Sequence, residues 1–270
     1  MASGVKLSFF LFFILLSSVS SLADVAYRKQ LLFFFNKLEL NGAVDLYLKK
    51  GKRIREALVY ADSEIIDSIS LRVREKTLYV DANNTFSLTR RLPFLKVSAE
   101  RKFPVEIILS VDQLNEIRIH EKSNLTCTEL ISPNLNLFIN SSGRIHLENL
   151  STPMLSVRHE GSGTLVLKGK EIQAIRAHLT GEGEIQAQEL EVRDATIIHQ
   201  GTGRIQLQPL NWLDARMRGQ GELILYSKPE RMVIDQTGNG KVKDFLPDMP
   251  PYYETNQTKS PSSPTLSKGK

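Results

Sequence analysis

A pair of glycines separated by one residue returns about every twenty residues in the second half of the chain, and this repeat constrains the fold more than any other feature. The five pairs begin at Gly161, Gly181, Gly201, Gly219 and Gly238. Subtracting these numbers gives spacings of 20, 20, 18 and 19 residues, and a weaker copy, Ser141-Ser142-Gly143, lies twenty residues before the first pair. A fixed period of this length is typical of a chain wound into stacked coils.

Short stretches of alternating apolar and polar residues flank the glycine pairs. The positions four and six residues after the first glycine, counted from Ser141 in the weaker copy, hold Ile145 and Leu147, Leu165 and Leu167, Ile185 and Ala187, Ile205 and Leu207, and Leu223 and Leu225. The positions four and six residues before it are also apolar, from Leu135 and Leu137 in the weaker copy to Met232 and Ile234 in the last repeat. Alternation with a period of two indicates half-buried strands, so each repeat holds two strands joined by a glycine corner.

These patterns predict an all-β protein, a parallel β-helix or β-solenoid of ~20-residue coils over residues 114–246. Equivalent side chains of successive coils would then lie about 4.8 Å apart, and the inward columns would form aliphatic ladders. We expect glycine at the corners because a sharp turn needs backbone angles that are costly for other residues. A phosphate-binding loop is the alternative for a Gly-x-Gly pair, but no helical pattern follows any of these pairs.

The outward column three places after the first glycine reads Arg144, Thr164, Glu184, Arg204, Glu222 and Lys241. Opposite charges on neighbouring coils are expected to form a ladder of ion pairs worth tenths of a kcal/mol each. This pattern favours solubility and strand register over a ligand groove.

Residues 24–113 lack the glycine period but read as β-strands, and we expect them to form an irregular section that caps the solenoid. Arg74-Glu75-Lys76 is predicted to be a hairpin turn between two of these strands. The twenty-residue register extends upstream to Ile117 and Ile119 and places Cys127 in the inward column of Leu147. Cys127 is the only cysteine, so it is expected to be a small buried hydrophobe without a disulfide.

The two ends of the chain have a different composition. Residues 1–23 combine a weakly positive start, the apolar run Leu7–Leu16 and the small-residue motif Ser21-Leu22-Ala23, which together predict a cleaved signal peptide. An uncleaved anchor is the alternative, because Leu31–Phe35 is apolar again. Residues 247–270 are rich in proline, serine and threonine, so we expect a disordered tail. No later segment is long enough to cross a membrane.

The formal net charge of +5 arises from 35 basic and 30 acidic residues that are scattered among one another. Such a mixed surface argues against a nucleic-acid partner.

We find no residues in the spacing that a metal, a cofactor or catalysis would require. His159 and His199 share one column, but Leu179 lies between them, so about 10 Å would separate them. The outward carboxylates Asp214 and Asp235 lie in offset columns and do not form the pair that glycoside hydrolysis requires. The sequence therefore predicts no catalytic residues, no metal site and no cofactor, and it does not identify ligand-binding residues.

The chain resembles the head GIN domain family of auto-transporter adhesins, from about Phe33 to Phe245. The resemblance is carried by four segments and by the recurring Gly-x-Gly-x-[Ile/Leu]. These segments are Gly42-Ala43-Val44-Asp45-Leu46-Tyr47-Leu48, Leu71-Arg72-Val73, Thr77-Leu78-Tyr79-Val80 and Val105-Glu106-Ile107-Ile108-Leu109. The resemblance implies a β-helix-like domain of a bacterial exported protein and supplies no catalytic motif.

Together these observations predict an exported, non-enzymatic protein in the periplasm or on the surface of a Gram-negative bacterium. It would present a rigid β-solenoid surface to a glycan or to another envelope protein. A carbohydrate-active lyase or hydrolase and a purely structural spacer are the alternatives. The sequence decides neither the ligand nor the oligomeric state.

Overall fold

The computed structural model describes residues 25–51, 56–63, 65–83 and 105–244. The predicted signal peptide (1–23) and the predicted tail (247–270) lie outside the described residues. Within those ranges, no helix is long or apolar enough to span a lipid bilayer.

The described residues form a single 19-stranded sheet that is wound into a solenoid, which confirms the predicted fold class. A short 3-10 helix, Ile66–Ser68, interrupts it. The strands are β1 (Val25–Leu31), β2 (Lys37–Gly42), β3 (Asp45–Lys50), β4 (Glu56–Asp62), β5 (Ser70–Arg74), β6 (Thr77–Ala82), β7 (Glu106–Val111), β8 (Glu116–Glu121), β9 (Asn124–Cys127), β10 (Leu130–Ile131), β11 (Asn134–Ser141), β12 (Arg144–Ser151), β13 (Met154–His159), β14 (Thr164–Leu179), β15 (Glu184–His199), β16 (Arg204–Met217), β17 (Glu222–Leu225), β18 (Arg231–Gln236) and β19 (Lys241–Asp244).

The glycine corners separate two faces of the solenoid. Face A contains the strands before each corner: β5, β6, β2, β8, β11, β13, the second halves of β14, β15 and β16, and β18. Face B contains the strands after each corner: β1, β4, β7, β3, β9, β12, the first halves of β14, β15 and β16, and β17 and β19. A narrow side strip, which includes β10, closes each coil opposite the corner.

The predicted register is confirmed by the parallel pairing. Ile145 pairs with Leu165, Leu165 with Ile185, and Ile185 with Ile205. The predicted inward columns are buried, with Leu147, Leu167, Ala187 and Leu207 all at 0% exposure. Burying each leucine contributes about 1.5–3 kcal/mol before the entropy of ordering is subtracted, so these ladders hold the coils together.

Cys127 lies in the same inward column and is fully buried, as predicted. Burial raises the pKa of its thiol to about 11. The thiol therefore stays protonated and acts as a packing group.

The order of coils in the stack differs from their order in the chain. The β2–β3 coil pairs with β6 and β7 on one side and with β8 and β9 on the other. Antiparallel strands then cover the outer coil, because β5 pairs with β6, β4 pairs with β7, and β1 pairs with β4. The repetitive part follows in sequence order from β8–β9 to β18–β19.

Candidate functional site

The corner glycines are required by close packing between coils, and our expectation of special backbone angles at these corners is wrong. Among the described glycines, only Gly42 has a positive φ, at 98°. A Cβ atom on Gly203 would lie 1.8 Å from the carbonyl oxygen of Gly183 in the preceding coil. Glycine therefore allows successive corners to lie in contact.

The position two residues before a corner holds a polar side chain that closes the corner in three repeats. His159 Nε2 lies 2.9 Å from Gly163 O, and His199 Nε2 lies 3.0 Å from Gly203 O. Gln236 Nε2 donates to Gly240 O at 2.6 Å in the last repeat. In the first two of these repeats the same carbonyl also accepts a backbone N–H of the next coil, from Glu184 and Glu222 respectively, so each histidine adds a second hydrogen bond at its corner.

Both histidines are fully buried. Burial lowers the pKa of each ring, although the bond to the corner carbonyl partly opposes it. Nδ1 of each ring makes no hydrogen bond among the described residues. The rings are therefore neutral, and Nε2 carries the proton that it donates to the carbonyl.

Each ring also lies under the second glycine of the next corner. A Cβ atom on Gly183 would lie 2.4 Å from His159 Nε2, and one on Gly221 would lie 2.3 Å from His199 Cε1. The two histidines thus serve packing at two separate corners. Across the described ranges, no group of three His, Cys, Asp or Glu side chains is placed to hold a metal ion.

Face B carries part of the predicted charge ladder, and Lys243 takes the place expected for Lys241. Arg204 Nη1 lies 3.5 Å from Glu184 Oε1, and Arg204 Nε lies 3.3 Å from Glu222 Oε2. Lys243 Nζ donates to Glu222 Oε1 at 2.7 Å, and this bond, with a smaller effect of Arg204, lowers the pKa of Glu222. These charged side chains of face B are therefore paired with one another, which favours a structural role for them over ligand binding.

Face A differs because one outward column carries arginines and aromatic rings. We name this column the arginine–aromatic column; its residues are Arg72, Tyr79, Glu39, Arg118, Phe138, Arg158, His178, Ile198, Arg216 and Asp235. The Arg118 guanidinium lies over the Phe138 ring, with its Cζ 4.3 Å from the ring centroid. Stacking of this kind fixes both side chains on the surface.

A shallow concavity of about 300 Å³ lies in the middle of face A, and we name it the central concavity. Its lining residues are Arg118, His120, Phe138, Ile139, Asn140, Arg158 and Glu160. The two arginines are each paired within face A, since Arg118 Nε lies 2.6 Å from Glu116 Oε1 and Arg158 Nε lies 2.6 Å from Glu160 Oε1. The central concavity therefore presents the aromatic ring of Phe138, bordered by polar side chains whose charges are largely neutralised.

A second concavity of about 290 Å³ lies at the capped end of face A, and we name it the cap concavity. Its lining residues are Asn41, Ser70, Arg72, Arg74, Tyr79 and Asp81. It combines an aromatic ring with two guanidiniums, an amide, a hydroxyl and a carboxylate.

A third concavity, of about 470 Å³, lies along the side strip and includes Thr152, Ile172, Glu191 and Arg193. Each of the three concavities is lined by one carboxylate among the described residues, namely Glu160, Asp81 and Glu191 respectively. A glycosidase requires two carboxylates on opposite sides of the scissile bond. None of these linings supplies that pair.

Sequence reasoning missed both concavities of face A. The central concavity could have been found, because Phe138 lies twenty residues after Arg118 and twenty before Arg158 in the outward column. The cap concavity could not, because it combines residues of β2, β5 and β6, whose order in the stack has no repeat signal.

The protein is therefore a β-solenoid with glycine corners, and two of its concavities, both lined by polar and aromatic side chains, lie on face A. The chain belongs to the family described as "Putative auto-transporter adhesin, head GIN domain", which matches residues 34–229. The predicted resemblance is therefore confirmed. No curated protein matches the chain in sequence.

Several crystal structures share the fold. A "putative adhesin" from Bacteroides fragilis NCTC 9343 is 22% identical, with a TM-score of 0.71, over 82% of this chain and 96% of that one. A "putative adhesin" from Parabacteroides merdae ATCC 43184 is 18% identical, with a TM-score of 0.61, over 82% and 96% of the two chains. A "Putative lipid binding protein" from Parabacteroides distasonis ATCC 8503 is 16% identical, with a TM-score of 0.60, over 82% and 97%.

Proposed function

We propose that the protein is an exported, non-enzymatic binding protein of the bacterial envelope that holds glycan chains along face A. The observation that carries this proposal is the arginine–aromatic column. Aromatic rings pack on the apolar faces of sugar rings, and the neighbouring arginine and amide groups donate hydrogen bonds to sugar hydroxyls.

The two aromatic rings of the column suit an extended ligand. Tyr79 and Phe138 are separated by Glu39 and Arg118, so the four residues span three strand spacings. At about 4.8 Å for each spacing, the rings lie roughly 14 Å apart along the stack. That separation suits an oligosaccharide or polysaccharide that runs parallel to the solenoid axis.

The non-enzymatic part of the proposal is supported by the single carboxylate in each concavity. Export is supported by the leader pattern in residues 1–23 and by the adhesin description of the family. The proposed location is the periplasm or the cell surface of a Gram-negative bacterium. A second envelope protein is the alternative partner, and a spacer role is the outcome if no ligand binds.

A glycan array with matched tyrosine variants tests the proposal. Tyr79 and Tyr47 are exposed to similar extents, 37% and 39%, but Tyr79 lies on face A and Tyr47 on face B. We expect Tyr79→Ala and Phe138→Ala each to weaken glycan binding about tenfold, whereas Tyr47→Ala leaves it unchanged.

Release of sugar reducing ends is measured on the same samples. Release by the purified protein would overturn the non-enzymatic assignment. A folded protein that binds no glycan on the array would overturn the glycan assignment and favour a protein partner.

A further inference from the structure

The cap concavity is built by three strands whose pairing places its residues side by side. Arg72 lies opposite Tyr79 in the antiparallel β5–β6 pair, and Ser70 lies opposite Asp81. Asp81 is next to Asn41 of β2 in the parallel pair. Polar and aromatic side chains are thus neighbours across the three adjacent strands β5, β6 and β2.

The charges of this concavity are unbalanced. Arg72 and Arg74 are both exposed, and neither forms an ion pair with a carboxylate among the described residues. By contrast, Arg118, Arg158, Arg216 and Arg218 of face A each have a carboxylate partner. One oxygen of the single carboxylate, Asp81 Oδ1, already accepts the backbone N–H of Asn83 at 3.1 Å.

The hairpin that carries the arginines is held firmly in place. Its two turn residues, Glu75 and Lys76, both have positive φ, at 48° and 61°. The carbonyl of Lys76 accepts hydrogen bonds from the backbone N–H groups of Asn36 and Lys37, at 2.9 and 3.1 Å. The turn and β6 are therefore fixed against β2, and β5, which carries the guanidiniums, is held by its pairing with β6.

We propose that the cap concavity binds an anionic sugar unit of the glycan, one that carries a carboxylate or a sulfate. The guanidiniums of Arg72 and Arg74 match the oxygens of such a group through charge-assisted, bidentate hydrogen bonds. Tyr79 packs against the sugar ring, while Asn41, Ser70 and the second oxygen of Asp81, Oδ2, bind its hydroxyl groups. A volume of about 290 Å³ is close to the lower end of the range for small-ligand sites, which suits one sugar unit.

Asp81 favours an acidic sugar over a bare inorganic anion. Its carboxylate repels any anionic group, but it accepts hydrogen bonds from the hydroxyls of a sugar, which a free phosphate or sulfate ion does not supply. This inference rests on the proposed function, because it assigns one unit of the glycan to a position at the capped end of face A.

The test compares matched polymers by isothermal titration calorimetry. The probes are polygalacturonate, its carboxyl-reduced derivative, a sulfated galactan and sodium sulfate. We expect the two anionic polymers to bind at least about tenfold more tightly than the carboxyl-reduced polymer, with a difference that shrinks as salt is added.

Variants of the arginines locate the effect. We expect Arg72→Gln combined with Arg74→Gln to reduce the binding of the anionic polymers about tenfold more than that of the carboxyl-reduced polymer, which loses only the hydrogen bonds of Arg72 to its hydroxyls. The matched control is Arg176→Gln on the same face, because Arg176 is also exposed and without an ion-pair partner among the described residues. Circular dichroism and thermal unfolding confirm that each variant is folded.

The outcomes separate the inference from the proposed function. Equal binding of native and carboxyl-reduced polymers would overturn the acidic-sugar site and leave glycan binding intact. An equal loss in Arg176→Gln would also overturn it, since the effect would then be one of general charge. Sodium sulfate binding as tightly as the sulfated polymer would show that the sugar is not recognised. No binding of any glycan would overturn the proposed function together with the inference.

Discussion

Single residues at the corners decide how closely the coils can stack. A side chain at the second glycine of a corner meets either the backbone of the preceding corner or the ring of a buried histidine. Glycine and histidine are thus coupled across neighbouring coils: the glycine of one coil leaves the space that the histidine ring of the preceding coil occupies.

Replacing one of these glycines by alanine is expected to be costly. A Cβ atom on Gly203 would lie 1.8 Å from a backbone oxygen, which cannot move without breaking the strand ladder. We expect Gly203→Ala to lower the free energy of unfolding by about 3 kcal/mol, as measured by urea denaturation. Thr202→Ala, at the exposed position between the two glycines, is the control and should change it by less than about 0.5 kcal/mol. Similar losses in both variants would contradict the close-packing explanation.

The buried histidines predict a pH dependence of stability. Because burial lowers their pKa in the folded state, the unfolded chain takes up protons first as the pH falls below about 6.5. The contribution of the two neutral histidines to the free energy of unfolding is fully present above that pH. Below it, stability should fall with a slope of at most about 1.4 kcal/mol per pH unit for each histidine.

Denaturation with urea at pH 7.5 and pH 5.5 measures this effect. The combined variant His159→Gln and His199→Gln is the control, because Gln236 already makes the same bond to a corner carbonyl in the last repeat. We expect the variant to lose less stability than the parent between the two pH values. An identical loss in both proteins would assign the pH dependence to other groups.

Among the strands and turns, the regular elements are the ones that could be predicted. Alternating residues around the glycine pairs predicted β11 to β18, and the positions predicted to face inward are buried in β11 to β17, because a period of two leaves little freedom in which side chains point inward. The antiparallel hairpin at Glu75–Lys76 was predicted as well. The reason for the corner glycines was mistaken, because the distance between coils depends on tertiary packing and cannot be read from one repeat.

The inward and outward positions of a strand should respond very differently to a charge. Leu167 is fully buried on face B, whereas Gln206 points outward on the same face. We expect Leu167→Asp to unfold the protein or to cost more than about 4 kcal/mol, and Gln206→Asp to cost less than about 1 kcal/mol. Thermal unfolding followed by circular dichroism measures both, and comparable losses would show that the register is wrong.

The β5–β6 hairpin contains a turn that its residues do not favour. A two-residue hairpin loop with positive φ at both positions is best served by asparagine and glycine, but here it holds Glu75 and Lys76. We expect Lys76→Gly to raise the free energy of unfolding by about 1 kcal/mol, since it removes the steric cost of positive φ. Lys37→Gly, within the neighbouring strand β2, is the comparison and should destabilise the protein. A loss of stability in Lys76→Gly would show that the turn is not strained.

Across the whole molecule, the coils are similar enough that we expect one of them to be removable without loss of the fold. Residues 161–180 and 181–200 correspond one to one at both ends of β14 and β15, so removing residues 181–200 joins two equivalent corners. We expect the shortened chain to fold cooperatively, with a smaller dependence of stability on urea and a solenoid shorter by about 4.8 Å. Small-angle scattering and urea denaturation measure the two quantities, and an unfolded product would show that the coils are not interchangeable.

The overall architecture was predicted only where the chain repeats. From Ile117 onward, each coil resembles the next, and the stacking order follows from the spacing. The first part has no such period, so nothing in it indicated that the β2–β3 coil lies between β6–β7 and β8–β9. The cap concavity depends on that arrangement, which is why it could not be predicted, whereas the fold class could.

That arrangement also sets the sequence of events as the chain emerges from a ribosome or a translocation pore. The β2–β3 coil can pair with neither neighbour until residues up to Ala82 and Val111 have emerged, so about a third of the polypeptide must wait unpaired or in partial pairings. Once β8 and β9 have paired with β2 and β3, each later coil can pair with the completed coil before it, in the order of the chain. The slow step of folding should therefore be the pairing of the first coils. Destabilising substitutions in those coils should delay folding more than equally destabilising substitutions near the carboxyl end.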